Sequence, residues 1–259
     1  MSNSITQIVG HTFLLALAFG SQLFAPVVST KLTGVGFYKL ITSIVLSSLV
    51  LVFGVSLSMD PGLDFFSYTC FGILIVSNVI SLGFHRDDKS LLMWAIYLLQ
   101  ISTFGALIFH LYLPNPSWIM FFMYSALLLG MSNFLMLLGH YYLVVPKLTE
   151  EPLIYCHYIF WTVMLLRIVS SLSEIMTNAV PYLTEGTHLG DGYTFNWLFV
   201  SMRYLWGYAA PLILSFFSFR LCKIRSTQSA TGVLYIVEFF VIVGELISVY
   251  LMAKHGLSL

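Results

Sequence analysis

Charge is what this chain has least of. Eleven Lys and Arg balance eleven Asp and Glu, together 8% of 259 residues, against 59% hydrophobic residues. A soluble domain carries about 25% charged residues, so most of this chain is made for lipid and little is left for a soluble domain. The zero net charge argues against a nucleic-acid partner. Cysteine is scarce as well. Cys70, Cys156 and Cys222 are scattered without metal-ligand spacing and read as buried or reduced thiols. The N-terminus places no Lys or Arg before its first apolar run, unlike a cleaved signal peptide, so that run reads as a retained helix.

Catalytic signatures are missing too. No His-Glu-x-x-His suggests a zinc protease, and no Cys-x-x-Cys-His attaches a c-type haem. The histidines are too dispersed for an eight-histidine di-iron hydroxylase. No Lys lies centrally in the last two apolar runs, which excludes a retinal Schiff base there.

What the chain does have is eight apolar runs of spanning length, since a membrane helix needs about 20 such residues. They cover 7–30, 37–59, 65–84, 91–113, 118–146, 154–177, 196–221 and 231–253. This predicts an all-α polytopic membrane protein, a single bundle of eight transmembrane helices. Asp60-Pro61-Gly62 and Pro114-Asn115-Pro116 cannot continue a helix, and Pro146 ends the fifth run. The third run is the shortest and contains Asn78. The long connection 178–195 holds Pro181, Gly186, Gly190 and Gly192, and Trp118 and Trp197 stand at helix starts, where interfacial aromatics belong.

Loop charges alternate. The odd connections carry Lys31, Arg86, Lys89, Lys147, Lys223 and Arg225; the even ones carry Asp60, Asp64, Glu185 and Asp191 and no cation. Cytoplasmic loops collect Lys and Arg, so both termini are expected outside the cytoplasm, with a bacterial inner membrane as the setting.

Two sets of intramembrane residues stand out. His11 and His110 lie about one turn from the outer ends of the first and fourth runs. His140 and His157 lie one to two turns from the cytoplasmic ends of the fifth and sixth. A transmembrane b-type haem takes two imidazoles from different helices at a shared depth. Each pair is therefore a candidate haem site, with His140 and His157 the candidate iron ligands. The alternative is that each imidazole bonds a neighbouring helix or interfacial water. His85, His188 and His255 fall in loops or at the terminus and read as solvated.

The second set is charged. An ion in a span costs about 2.5–3.5 kcal/mol on insertion scales, so such residues are paired or functional. Arg167 and Glu174 share a stripe of the sixth run, Arg203 is in the seventh, and Glu238 and Glu245 share a stripe of the eighth. Matched depths predict Arg203 facing Glu245, and Arg167 facing Glu238 or Glu174. These side chains either pin the last three helices together or line a polar cavity, where Glu238 or Glu245 exchanges protons with a quinone or other substrate. Asn78, Gln100 and Asn133 read as interhelical hydrogen-bond formers. The basic turn from Arg220 through Lys223 and Arg225 into Ser226 and Thr227 reads as a positive-inside anchor with a helix cap. A lipid phosphate, a cofactor phosphate or an acidic partner is the alternative there.

Three functions stay open: an electron-transfer or quinone-reactive subunit, a small-molecule or ion transporter, and a structural or assembly subunit. In helix number and orientation the chain resembles the eight-helix quinone-interacting membrane anchors of dimethyl sulfoxide and polysulfide reductases. The resemblance spans all eight runs and carries no motif or residue across. It implies quinone rather than haem as the cofactor, and a respiratory or redox subunit as partner. Transporters built from repeats have polar breaks in corresponding places of both halves; here all five deep charges lie in the last three runs, which weighs against transport.

Overall fold

The computed structural model describes residues 4–59, 64–84, 90–145, 149–179 and 193–259. The turn at Asp60-Pro61-Gly62, the cations Arg86, Lys89 and Lys147, Pro146, the histidines His85 and His188, and the acidic Glu185 and Asp191 lie outside these residues. Among the described residues the chain is helical with no strand. Eight helices are long and apolar enough to cross a membrane: α1 Ile5–Val27, α2 Val35–Met59, α3 Phe65–Phe84, α4 Leu91–Tyr112, α5 Pro116–Val144, α6 Glu151–Thr177, α7 Phe195–Lys223 and α8 Thr227–His255. At a rise of about 1.5 Å per residue each covers the roughly 30 Å of a bilayer core.

Several helices begin or end a turn beyond their apolar runs. Thr227 and Gln228 extend α8, and Glu151 and Pro152 open α6. Ser4 caps α1 through a reciprocal pair with Gln7, its Oγ accepting from Gln7 N–H at 3.2 Å while Gln7 Oε1 accepts from Ser4 N–H at 3.0 Å. Asp64 caps α3, its carboxylate accepting from the N–H groups of Phe66 and Ser67. Pro116 fits the first turn of α5, where its missing N–H has no intrahelical partner to lose.

Helices α1, α5 and α8 pack against one another at the centre. On one side α2, α3 and α4 follow in chain order; on the other, α6 and α7 close against α5 and α8. Glycines set the tightest approaches. A Cβ on Gly20 of α1 would lie 1.9 Å from the Ala126 carbonyl oxygen of α5, and one on Gly130 would lie 2.2 Å from the Gly20 carbonyl carbon. Apolar side chains gain little by meeting each other rather than lipid, so close backbone packing of this kind and buried hydrogen bonds hold such bundles together. The amides supply those bonds. Asn133 Nδ2 donates to Ser21 Oγ at 2.8 Å, Gln22 Nε2 to Gln100 Oε1 at 2.6 Å, and Gln100 Nε2 to Ser81 Oγ at 3.3 Å. Asn78 is buried and donates to the Leu74 carbonyl of its own helix, which lets the short third helix carry it. Outward faces are apolar, as with Val50, Val76, Leu98, Val169 and Phe239.

The starts of α1, α3, α5 and α7 and the ends of α2, α4, α6 and α8 lie at one end of the bundle, called here the terminal end. Gln7 meets Ser58 there, and Thr12 meets Tyr112.

Candidate functional site

The deepest polar feature is a charge cluster between α6, α7 and α8. Arg167, Arg203 and Glu245 are each 0% exposed. Arg203 Nη2 lies 2.7 Å from Glu245 Oε1, the facing that matched depth predicts. Arg167 departs from its expectation. Its Nε lies 3.5 Å from the same Glu245 oxygen, and neither Glu238 nor Glu174 is its ion-pair partner. The reason is angular: Glu245 projects between α6 and α7, so one carboxylate serves both guanidinium groups.

Other donors of the two guanidiniums reach Ser248, Tyr208 and the Leu259 main chain. Arg167 Nη2 donates to Ser248 Oγ at 2.8 Å and to the Leu259 main-chain oxygen at 3.0 Å. Arg203 donates from Nε to that same oxygen at 3.1 Å and from Nη2 to the Tyr208 hydroxyl at 2.6 Å. Phe121 and Tyr208 rings lie 5.0 and 4.2 Å from the Arg167 and Arg203 guanidinium carbons, adding cation–π attraction. Arg167 Nη1, Arg203 Nη1 and Glu245 Oε2 have no hydrogen-bond partner among the described residues.

Local backbone geometry aims Arg203. A π-helical turn, Leu205–Ala209, follows it within α7, and the Ala210 N–H donates to the Leu205 carbonyl. Pro211 explains the turn: it has no N–H to offer and its ring would clash with the carbonyl four residues earlier, at Gly207. The same widened turn presents Gly207 to Gly244 of α8, where a Cβ on Gly244 would sit 2.3 Å from Gly207 Cα. Helices α7 and α8 thus touch beside Arg203.

Glu238 lies further along α8, 6% exposed, beside Ser132 of α5, with Oε2 unpartnered among the described residues. Glu174 sits near the terminal end, its Oε1 3.5 Å from the Ser258 N–H. The sequence therefore identified the residues of the cluster but missed the segment after α8. Gly256, at φ +71°, ends that helix and turns the chain back, placing Leu257 and Leu259 inside the bundle. The signal was present as a glycine after a long helix, followed by two leucines.

Three of the four intramembrane histidines, His110, His140 and His157, contact other partners. His157 is fully buried, with Nδ1 2.8 Å from the Leu153 carbonyl and Nε2 3.2 Å from Ser218 Oγ of α7. His140 turns instead to α8, its Nδ1 2.6 Å from the Tyr235 hydroxyl. Both nitrogens of His157 are thus engaged, and the two imidazoles bond to different neighbouring helices. At the terminal end, His110 Nε2 lies 3.2 Å from Asp64 and its ring 4.8 Å from the Phe66 ring. His11 lines a cavity whose wall does not include His110. In the structure the two histidines of each pair thus meet different partners. Matched depth left the direction around each helix axis open, and local hydrogen bonds decided it. Among the described residues no group of three or more His, Cys, Asp or Glu gathers as a metal site.

Asn133 faces inward, while His140, seven residues on along the same helix, is half-exposed. All three cysteines are buried and free. In the basic turn Arg225 Nε pairs with Glu150 Oε1 at 3.1 Å, with Arg225 81% exposed. Such exposed pairs contribute at most about 1 kcal/mol, so this one ties the α7–α8 turn to the start of α6 without marking a site.

The cavity beside His11 is about 290 Å³ and opens at the terminal end. Ile8, His11 and Thr12 of α1, Met59 of α2, Leu111 and Tyr112 of α4, Pro114 and Asn115 of the α4–α5 turn, and Trp118 of α5 line it. Tyr112 stacks on Trp118, centroids 5.8 Å apart and planes 4° from parallel. The Tyr112 hydroxyl lies 3.2 Å from Thr12 Oγ1. His11 is 9% exposed and lines the cavity wall. The site thus joins an aromatic wall, an apolar lining, a hydroxyl pair and one imidazole. No family model, curated protein or solved structure matches the chain.

Proposed function

We propose that this chain is a quinone-binding membrane subunit, with the quinone head group seated in the His11–Tyr112–Trp118 cavity. The observation that carries the reading is His11: an imidazole nine-tenths buried, on the wall of a cavity lined mainly by apolar and aromatic side chains, with Thr12 and Asn115 as its other polar residues. A quinone carbonyl is an acceptor for the imidazole N–H, and a quinol hydroxyl is a donor to its lone pair. Trp118 offers a flat face to the ring, and the Thr12–Tyr112 hydroxyls offer a second polar contact. Ile8, Met59 and Leu111 suit the isoprenoid chain. A volume near 290 Å³ is at the small end for ligand pockets, the right scale for a ring rather than a large soluble substrate.

In this reading the setting is a bacterial cytoplasmic membrane with the terminal end outside, as the distribution of loop cations supports. A quinol oxidised in the cavity releases two protons on the outer side. Its two electrons pass to a redox subunit docked at that end, and one of the two protons leaves by way of His11.

Photolabelling tests the assignment. An azido-quinone activated on the purified protein is expected to mark peptides containing 8–12 or 111–118, with labelling suppressed by excess unlabelled short-chain quinone. Label confined to other helices would refute the site.

A further inference from the structure

Glu238 carries an inference that rests on neither the quinone cavity nor its occupant. It stands on α8, about 16 Å in from the start of that helix at Thr227 and about 25 Å from its end at His255. It is 6% exposed, and its Oε2 has no hydrogen-bond partner among the described residues. An ionised carboxylate in the bilayer interior is costly unless a positive charge meets it. The helices packed on α8 are α1, α5 and α7, and none brings that charge. Neither α1 nor α5 contains a Lys, Arg, Asp or Glu, and α5 faces Glu238 with Ser132. His11 of α1 is at the terminal end. On α7, Arg203 is held by Glu245, while Arg220 and Lys223 lie over Phe216 and Phe219 near the far end of the helix. The Tyr204 and Tyr208 hydroxyls are bonded to Ser171 and Arg203.

Two features open Glu238 toward the end of the bundle opposite the terminal end. Tyr235 is one turn before it on α8, and residues three apart on a helix are neighbours. The Tyr235 hydroxyl is 2.6 Å from Nδ1 of His140, which is half-exposed and about 6 Å from the end of α5. Glu238, Tyr235 and His140 thus form a line of proton-carrying groups that leads out of the interior. Toward the terminal end the way is closed. Residues 239–244 of α8 are apolar, and beyond them Glu245 is flanked by Arg167 and Arg203. A guanidinium keeps its proton at every pH a protein meets and does not relay one.

We propose that Glu238 is a proton-binding site open to one face of the membrane only, with the His140–Tyr235 pair as its entry. The His140 imidazole takes a proton from water at that face. It passes one to the Tyr235 hydroxyl as that hydroxyl releases its own, and an O–H bond forms on the Glu238 carboxylate. No electrons move and no co-reactant is needed. A metal cation is the poorer fit: hard cations gather about six oxygens, and here a single hydroxyl, that of Ser132, stands beside the carboxylate.

Dicyclohexylcarbodiimide is the probe, an apolar reagent that adds to protonated carboxyl groups within a bilayer. It is applied to the wild-type chain in sealed membrane vesicles of known orientation, and the adduct is located by peptide mass. Glu238 is expected to be modified, and Glu245 on the same helix, held by two guanidiniums, to be spared. Raising the pH at the face of the α7–α8 turn should cut labelling of Glu238 severalfold, and raising it at the terminal face should leave labelling unchanged. The entry is read by time-resolved infrared absorption at the carboxylic C=O stretch after a flash-released proton. The Glu238 band, identified by its loss in Glu238→Gln, should rise severalfold more slowly in His140→Ala and in Tyr235→Phe, to the same final amplitude. Tyr235→Phe keeps the ring and carries this readout should His140→Ala not fold. Absence of label at Glu238, equal sensitivity to pH at both faces, or protection of Glu238 by sodium at constant pH would overturn the proposal. So would a band whose rise neither entry variant slows.

Discussion

Arg203 Nη2 sits 2.7 Å from Glu245 Oε1 in a place no solvent reaches, and Arg167 approaches the same oxygen from the other side at 3.5 Å. Removing the carboxylate therefore strands two guanidiniums rather than one. Glu245→Gln is expected to lower stability by about 3–5 kcal/mol, the cost of an uncompensated buried charge. Adding Arg203→Gln should recover part of it, giving a coupling of about 0.5–3 kcal/mol in a double-mutant cycle on detergent-solubilised protein. Additive effects would show that the pair contributes nothing specific.

The approach of α1 to α5 makes a sharper steric prediction. A Cβ on Gly20 would lie 1.9 Å from the Ala126 carbonyl oxygen, which is main chain and cannot rotate away. Gly20→Ala should cost about 3 kcal/mol, at the upper end of overpacking. Gly10, on the same helix with nothing within 4 Å of its Cβ position, is the control. Gly10→Ala should be neutral or slightly stabilising, because alanine favours the helix by about 1 kcal/mol. Thermal midpoints of the two variants, read side by side, check both.

Acid sensitivity is predicted at the α3 cap. Hydrogen bonds from the Ser67 side chain and main chain, with His110 beside it, hold the Asp64 carboxyl below its ordinary value of 3.8. A group depressed on folding contributes stability that is present above its unfolded pKa and lost as pH falls through the folded one. The thermal midpoint should therefore fall as pH drops below about 4. Asp64→Asn should remove this component and flatten the profile in that range. An unchanged profile would show that the cap has no thermodynamic weight.

Orientation can be read chemically. The native cysteines are buried, so introduced ones report alone. In intact cells an impermeant maleimide should label Asn115→Cys, on the exposed α4–α5 turn, and leave Arg225→Cys unlabelled until the cells are opened. The reverse pattern would invert the bundle and place the His11 cavity on the cytoplasmic side.

Much of the architecture was legible in the residues because hydrophobic length and proline breaks act locally. The apolar runs locate all eight helices, although Thr227 and Glu151 show polar residues continuing a helix past its apolar core. Depth along a helix was legible too, and Arg203 meets Glu245 as depth requires. Direction around the axis was not. His140 and His157 share a depth, yet one bonds Tyr235 of α8 and the other Ser218 of α7. Arg167 likewise finds Glu245 rather than Glu238. The return of Leu257 and Leu259 escaped because two leucines are too short a run to register as a buried element, and only Gly256 hints at the turn.

The central claim is that the His11–Tyr112–Trp118 cavity holds a quinone, and tryptophan fluorescence tests it most directly. Quinones quench an indole they contact, and Trp118 is the one tryptophan lining the cavity. Titration with a short-chain quinone should quench a saturable fraction of the emission of the wild-type protein. That fraction should vanish in Trp118→Phe, and the half-saturation point should rise at least about tenfold in His11→Ala, the loss of about 1.4 kcal/mol expected for one hydrogen bond. Quenching that persists unchanged in Trp118→Phe, or an affinity indifferent to His11, would contradict the account.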